Sequence, residues 1–135
     1  MQTPIQKVAI VGLGAVGGVF AGFLGAHLAE KNIQLSAIAR GQTLDTLRRE
    51  GLTWVDGDNV TQHVSLMASD NPADLGPQDL VIVAVKGPAM PGVAATVGAL
   101  LAPHSTVLVA MNGVPWWFFD GLGGPCDGLT LPAVD

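Results

Sequence analysis

The sequence predicts an α/β protein built on a doubly wound, mostly parallel sheet. Short, uninterrupted apolar runs alternate with segments of helical periodicity, and a glycine-rich turn joins the first run to the first helix. The chain of 135 residues is 49% hydrophobic and only 13% charged. This balance argues against disorder and suits one domain with a buried core. We therefore expect a Rossmann-type fold.

The first half of the chain predicts two strand–helix units. Residues 8–11 are an apolar run typical of a parallel strand buried on both faces, and a helix follows at 15–29. A second strand is predicted at 35–39, and a short second helix ends at Gly51.

The first predicted helix carries a stripe of apolar residues that we expect to be buried. Its members recur at helical spacing and are Val16, Val19, Phe20, Phe23, Leu24 and Leu28. Gly22 and Gly25 each cost a helix about 1 kcal/mol relative to alanine. Their presence indicates a close approach of the helix backbone to the sheet.

The second half predicts two further strands, a helix and a hairpin. In order, these are a hairpin or pair of edge strands at 52–64, a buried strand at 80–85, a helix at 93–101 and a strand at 106–111. Asp56-Gly57 supplies the hairpin turn, and Pro103 is expected to end the helix.

The turn at residues 12–17, Gly-Leu-Gly-Ala-Val-Gly, fits the pattern G-x-G-x-x-G. Gly12 permits a tight turn, Gly14 lets a pyrophosphate approach the backbone, and Gly17 lets the helix pack against the strand. The free amides of the helix N-terminus favour an anion. A glycine turn without ligand is the alternative. We predict dinucleotide binding by Gly12, Leu13, Gly14, Ala15, Val16 and Gly17.

Arg40 follows the second predicted strand, where NAD sites usually carry an acidic residue that binds the ribose hydroxyls. A guanidinium can hold a 2′-phosphate through two hydrogen bonds. The position therefore predicts NADP(H) as the cofactor. The alternative is a solvated surface arginine.

Lys86 and Asn112 each follow a predicted buried strand. Ligands of open α/β sheets bind at the carboxyl ends of the strands, so both side chains should reach the crevice of the glycine turn. Lys86 suits a phosphate or ribose, and Asn112 suits a ribose or a substrate hydroxyl. A surface lysine and a simple Asn-Gly turn are equally open alternatives.

Charge and composition narrow the partners. A net charge of −5 provides no basic field for nucleic acid or an anionic membrane, and no apolar stretch reaches the ~18 residues of a membrane span. The three histidines lack metal-ligand spacing, so no metal site is expected. Cys126 is the single cysteine, and the chain begins without a charged leader. We therefore expect a cytoplasmic protein.

Four aromatic residues stand in a row after the last predicted strand. They are Trp116, Trp117, Phe118 and Phe119. Packing beneath their own loop is one interpretation. We favour a contact surface for a second domain or subunit, because one short loop cannot bury all four.

Four motifs occur in order along the chain: residues 8–18 (Val-Ala-Ile-Val-Gly-Leu-Gly-Ala-Val-Gly-Gly), Ala39-Arg40, Val85-Lys86 and residues 111–114 (Met-Asn-Gly-Val). Together they resemble ketopantoate reductase, also called 2-dehydropantoate 2-reductase. The resemblance extends to about Gly124. It departs from the family after Lys86, where residues 87–90 read Gly-Pro-Ala-Met, whereas the family usually has an alanine after the lysine and a polar residue soon after.

The resemblance implies reduction of ketopantoate to pantoate with NADPH, in pantothenate and coenzyme A biosynthesis. It places the pyrophosphate on the glycine turn and the adenosine phosphate on Arg40 and Lys86. Asn112 would contact the cofactor ribose and help orient the substrate, a small 2-oxoacid. The family's general-acid lysine lies in a second, helical domain. We therefore expect residues 1–135 to be a truncated cofactor domain, inactive alone, with no catalytic residue of its own.

Two other functions remain open from the sequence. One is another NAD(P)-dependent dehydrogenase of the hydroxyacid or opine type, because substrate choice would lie in the absent domain. The other is a stand-alone nucleotide-sensing module, although such modules normally carry an aspartate where this chain has Arg40.

Overall fold

The computed structural model describes residues 4–115 and 117–130. A five-stranded sheet has the order β5-β2-β1-β6-β7, and every neighbouring pair is parallel. Its strands are β1 (Lys7–Val11), β2 (Gln34–Ile38), β5 (Met67–Ser69), β6 (Gln78–Val83) and β7 (Leu101–Val109), while β3 (Leu52–Val55) and β4 (Thr61–Val64) form a separate antiparallel hairpin. The helices are α1 (Ala15–Glu30), α2 (Gly41–Glu50), α3 (Pro72–Leu75) and α4 (Met90–Ala99). The predicted doubly wound parallel sheet is confirmed.

The core lies on both faces of β1. Val8 and Ile10 pack on one side with Leu28 of α1, and Ala9 and Val11 pack on the other side. The side chains of residues 8–11 are nearly inaccessible to solvent. The chain leaves β1 toward β2 on one side and reaches β6 on the other, so the order of strands reverses at β1. Such a reversal opens a crevice at the carboxyl ends of the strands.

The predicted buried stripe of α1 is wrong at three of its six positions, whereas Phe20 and Leu24 pack partly buried against the core and Leu28 is buried. Val16, Val19 and Phe23 have 46%, 43% and 67% of their surface exposed. The buried positions are instead small, apart from one leucine: Gly17, Ala21, Gly22, Gly25 and Leu28. Small side chains let neighbouring elements approach more closely than valine or phenylalanine would, and this outweighs the burial of the larger side chains.

Gly22 and Gly25 pack closely, as expected, but against the hairpin and not the main sheet. A Cβ at Gly22 would overlap the ring of Trp54, and one at Gly25 would overlap the side chain of Val64. Phe23 adds a tilted contact with the Trp54 ring at 5.0 Å between centroids. The two glycines therefore make room for the β3–β4 hairpin.

The predicted end of the third helix is also wrong. The helix runs from Met90 to Ala99, and Pro103 lies inside β7. The pairing with β6 shifts there from Gln78↔Leu101 to Leu80↔Thr106, which leaves extra residues in β7. Such an irregularity is where an edge strand tolerates proline.

Two short elements between the hairpin and β6 were not predicted. They are β5 and α3, and α3 begins at the cap residue Asn71, whose side chain accepts a hydrogen bond from the Ala73 amide at 3.1 Å. With three and four residues, neither element is long enough to show a periodicity.

Asp79 joins three parts of the chain at the opposite edge of the sheet. Its Oδ2 accepts hydrogen bonds from the backbone amides of Gln6 and Lys7 at 2.7 and 2.8 Å, and its Oδ1 lies 2.8 Å from Nε2 of His104. The bond from Gln6 is the largest of the contributions that lower the pKa of this carboxyl group. The carboxylate thus holds the start of β1 against β6 and β7.

Candidate cofactor-binding site

The turn after β1 has a geometry that requires glycine at two positions. Gly12 has φ +93°, and a Cβ there would lie 2.7 Å from Cγ1 of Val85 and 3.0 Å from the carbonyl oxygen of Ala84. A Cβ at Gly17 would overlap the carbonyl oxygen of Gly12. Gly12 therefore serves the backbone angle of the turn and its packing against residues 84–85, and Gly17 serves the packing of α1 against the turn, whether or not a ligand binds.

Gly14 differs from these two glycines. Apart from its neighbours in the chain, no atom of the described residues lies within 4 Å of the position that its Cβ would take. It is the N-cap of α1, no side chain caps the helix there, and the first turn carries no acidic residue. The amides at a helix N-terminus carry partial positive charge and lack partners within the helix. Open space in front of such amides fits an anionic group such as a pyrophosphate.

A first cavity, about 380 Å³ in volume, lies between the glycine turn, the end of β2 and α4. Its lining includes Gly12, Leu13 and Gly14. Its polar side chains are Arg40, Thr43 and Thr96. Arg40 is the N-cap of α2, so it stands beside a second uncapped helix N-terminus. This cavity combines apolar walls with a cation and two hydroxyl groups.

A second cavity, about 610 Å³ in volume, lies between the start of α1 and the residues that follow β6 and β7. Its lining includes Ala15 and Val16, and the polar side chains that the described part of the chain contributes to it are Lys86 and Asn112. Gly14 and Val85 line both cavities. The two cavities thus meet at the open face of the glycine turn.

The structure brings the predicted residues to one edge of the sheet and divides them between the two cavities. Arg40 lines the first cavity, whereas Lys86 and Asn112 line the second. The resemblance had implied that Arg40 and Lys86 serve the same end of the cofactor, and they do not share a cavity. Gly17 lines neither cavity and packs behind the turn.

Sequence reasoning missed three residues of the first cavity. They are Thr43 on α2 and Val93 and Thr96 on α4. Val93 and Thr96 stand three positions apart, which puts both on one face of a helix. That spacing was visible in the sequence, but the face it would present was not.

The aromatic run follows the last residues of the second cavity along the chain. Trp116 is outside the described residues. Phe118 is 48% exposed, and its ring contacts Phe119 edge to face at 5.2 Å between centroids. Trp117 and Phe119 are half-buried. Contact of this aromatic surface with a second domain or subunit remains a prediction.

The described residues form neither a metal-binding cluster nor a membrane-spanning helix. Within residues 4–115 and 117–130, no group of three or more histidine, cysteine or acidic side chains is arranged to hold a metal ion. In the same part of the chain, no helix combines the length and apolar character needed to cross a bilayer.

A reversed parallel sheet, a G-x-G-x-x-G turn at its switch point and an open helix N-terminus define a Rossmann-type domain of the dinucleotide-binding class. The model of the family "Ketopantoate reductase PanE/ApbA" matches residues 8–115. The chain belongs to this family.

Individual relatives agree with this assignment. A 2-dehydropantoate 2-reductase from Mesorhizobium japonicum is 37% identical over 131 residues, covering 96% of this chain and 39% of the relative. A solved structure described as a ketopantoate reductase from Ralstonia solanacearum MolK2 superposes with a TM-score of 0.82 at 47% identity, covering 98% of this chain and 39% of that one.

A 2-dehydropantoate 2-reductase from Porphyromonas gingivalis W83 superposes with a TM-score of 0.70 at 29% identity, covering 83% of this chain and 40% of that one. The chain therefore spans about two fifths of the length of these relatives and corresponds to their N-terminal part.

Proposed function

We propose that this chain is the NADP(H)-binding part of an oxidoreductase that reduces 2-dehydropantoate to pantoate. The observation that carries the proposal is the pair of cavities that meet at Gly14, in front of the uncapped N-terminus of α1. An extended dinucleotide has its pyrophosphate in the middle and a nucleoside at each end, which matches this arrangement. Family membership supplies the reaction.

The pyrophosphate binds at residues 12–17, where the α1 amides and helix dipole meet its charge. The adenosine half occupies the first cavity, with its 2′-phosphate on Arg40. A guanidinium offers paired N–H donors to phosphate oxygens. Among the residues that the structure describes, no acidic side chain lines this cavity to repel the phosphate. These features support NADP(H) over NAD(H).

The second cavity takes the nicotinamide half and one side of the substrate. When bound, NADPH supplies a hydride to the ketone carbon of a 2-oxoacid. The carboxamide of Asn112 can donate a hydrogen bond to the ketone oxygen, which becomes more negative as the reaction proceeds. Lys86 adds a positive charge to the same cavity and suits an anionic group of the substrate or the cofactor.

The proton donor for the product hydroxyl lies outside these 135 residues. Reduction of a ketone leaves an alkoxide that needs a positioned acid. A carboxamide cannot serve as that acid, and we do not assign this step to Lys86, because the resemblance implies that the family's general acid is a lysine of a second, helical domain. We place the donor in the part of the relatives that this chain does not span, together with the second wall of the substrate cleft. One cysteine in 135 residues suits a reducing cytoplasm, where we propose the protein acts in pantothenate synthesis.

Calorimetry of the 135-residue chain with NADPH and NADH tests this proposal. We expect tighter binding of NADPH. Arg40→Glu should weaken NADPH at least about tenfold, because it removes charge-assisted hydrogen bonds of about 1.5–3 kcal/mol each and adds a repulsive charge. Binding of NADH should be unchanged or improved.

Arg48→Glu is the matched control. Arg48 lies on the same helix, is exposed and lines neither cavity. This second charge reversal should leave both affinities unchanged. Equal affinity of the native chain for the two cofactors would refute the preference for NADP(H).

A further inference from the structure

Thr96 occupies an unusual position on α4. The helix reads Met-Pro-Gly-Val-Ala-Ala-Thr-Val-Gly-Ala, so Thr96 carries its only hydroxyl group. Threonine is less favourable than alanine inside a helix, and there its hydroxyl commonly bonds to a carbonyl of the preceding turn. The half-buried Thr96 makes no such bond within the described part of the chain. Its hydroxyl is therefore available to a ligand.

The surroundings of Thr96 define what that ligand can be. It lines the first cavity with Val93 of the same helix, and the other aliphatic residues of the lining include Val85 and Ile38. Aliphatic walls of this kind suit the faces of a flat aromatic ring, which gains from burial but offers hydrogen bonds only at its edge. One isolated hydroxyl among such walls suits that edge.

The other polar groups of the cavity belong to a different element. Arg40 is the N-cap of α2, and Thr43 follows three residues later in the first turn of that helix. Together with the uncapped amides of α2, they make a site for a phosphate. Thr96 stands on α4, apart from these two residues in the sequence and in its supporting element. The cavity thus takes a cation and one hydroxyl group from the start of α2, and a second hydroxyl group, beside the aliphatic Val93, from α4.

We propose that Thr96 recognises the adenine base, through a hydrogen bond between its hydroxyl and the edge of the ring, while Arg40 and Thr43 hold the 2′-phosphate. The inference rests on the proposed function, because it takes the first cavity as the adenosine site. A threonine hydroxyl can both donate and accept. It can therefore pair with either a ring nitrogen or the exocyclic amine of adenine.

Two fragments of the cofactor separate the two roles. Adenosine 5′-monophosphate carries the base without the 2′-phosphate, and adenosine 2′,5′-bisphosphate carries both. NMR titration of the 135-residue chain gives the dissociation constant of each. Thr96→Val keeps the shape of the side chain and removes its hydroxyl, whereas Thr96→Ser keeps the hydroxyl. Arg40→Glu perturbs only the phosphate end.

We expect Thr96→Val to weaken both fragments by the same factor, about three- to tenfold for the loss of one neutral hydrogen bond. Thr96→Ser should stay within about twofold of the native chain by the same reasoning. Arg40→Glu should weaken the bisphosphate and leave the monophosphate unchanged. A nuclear Overhauser effect between an adenine proton and the Thr96 methyl group should appear in the native complex.

The possible results separate the inference from the proposed function. If the native chain binds the bisphosphate but Thr96→Val binds both fragments as well as the native chain does, the base contact is refuted and the cofactor site stands. The amide spectrum of Thr96→Val shows that the variant is folded. Absence of the Overhauser effect from the native complex would then agree with retained affinities in refuting the base contact. If the native chain binds neither fragment, both the inference and the proposed function fail.

Discussion

Gly14→Ala separates the needs of the ligand from the needs of the fold. The substituted side chain would extend into space that holds no protein atom within 4 Å. Gly14 has φ −79° and ψ −159°, an extended conformation that alanine also adopts. Alanine is a poorer N-cap than glycine by up to about 1 kcal/mol, and it restricts the unfolded chain by about 0.4–1 kcal/mol in the opposite direction. We therefore expect almost no change in the free energy of unfolding.

Cofactor binding should respond very differently to Gly14→Ala. An amide holds a phosphate oxygen at about 2.7–3.2 Å, whereas a methyl group needs about 3.5–4.0 Å from any heavy atom. The pyrophosphate must then move away from the α1 amides. Each charge-assisted hydrogen bond lost costs about 1.5–3 kcal/mol, which weakens NADPH binding about 10- to 150-fold.

Gly18→Ala is the matched control for Gly14→Ala. It introduces the same methyl group one turn further along α1, also into open space, and lines neither cavity. It should stabilise the helix by up to about 1 kcal/mol and leave NADPH affinity unchanged. Calorimetry and urea unfolding give the two quantities. Unchanged NADPH affinity in Gly14→Ala would refute the placement of the pyrophosphate.

Three further outcomes are expected. Gly25→Ala should destabilise the chain by about 1–3 kcal/mol in urea unfolding, because its methyl group displaces Val64 and the hairpin; an unchanged midpoint would contradict this. Asp79 has its pKa lowered below the ordinary 3.8, chiefly by the Gln6 amide, so its contribution to stability is present above that pH and is lost as the pH falls through the folded-state value. Asp79→Asn should flatten the acid limb of the stability profile, and a profile that keeps its slope would show that other carboxyl groups cause it. Phe118→Ser should reduce any concentration-dependent association seen by light scattering, whereas a native chain that stays monomeric at every concentration would exclude self-association through this residue.

The sequence predicted the central strands well because strands buried on both faces have uninterrupted apolar runs that can be recognised in the sequence. Residues 8–11 of β1 and 80–83 of β6 are covered on both faces, so these stretches are apolar without interruption. Apolar residues on the exposed faces of α1 led to a wrong prediction of its buried face. This helix is apolar around most of its circumference, and periodicity alone could not tell that its glycines, and not Val19 or Phe23, would face the core.

The sequence predicted the site residues that follow strands. It did not predict the residues that reach the cavity from helices. Arg40, Lys86 and Asn112 follow parallel strands, so their common edge could be inferred from strand order alone. Thr43 and Thr96 reach the cavity from helices. Which face a short helix turns toward a cavity depends on packing with its neighbours, and α4 has too little contrast between polar and apolar residues to show it.

The glycine turn itself shows why its pattern is weak evidence for a ligand when taken alone. Gly12 and Gly17 are explained by the backbone angle and by the contact between turn and helix, so a protein without any cofactor would need them to fold in this way. Only Gly14 has no structural reason to lack a side chain. An alanine would fit there, and a serine or an aspartate at this N-cap position would stabilise α1 further. Within the pattern, Gly14 is therefore the position at which the fold leaves room for a pyrophosphate.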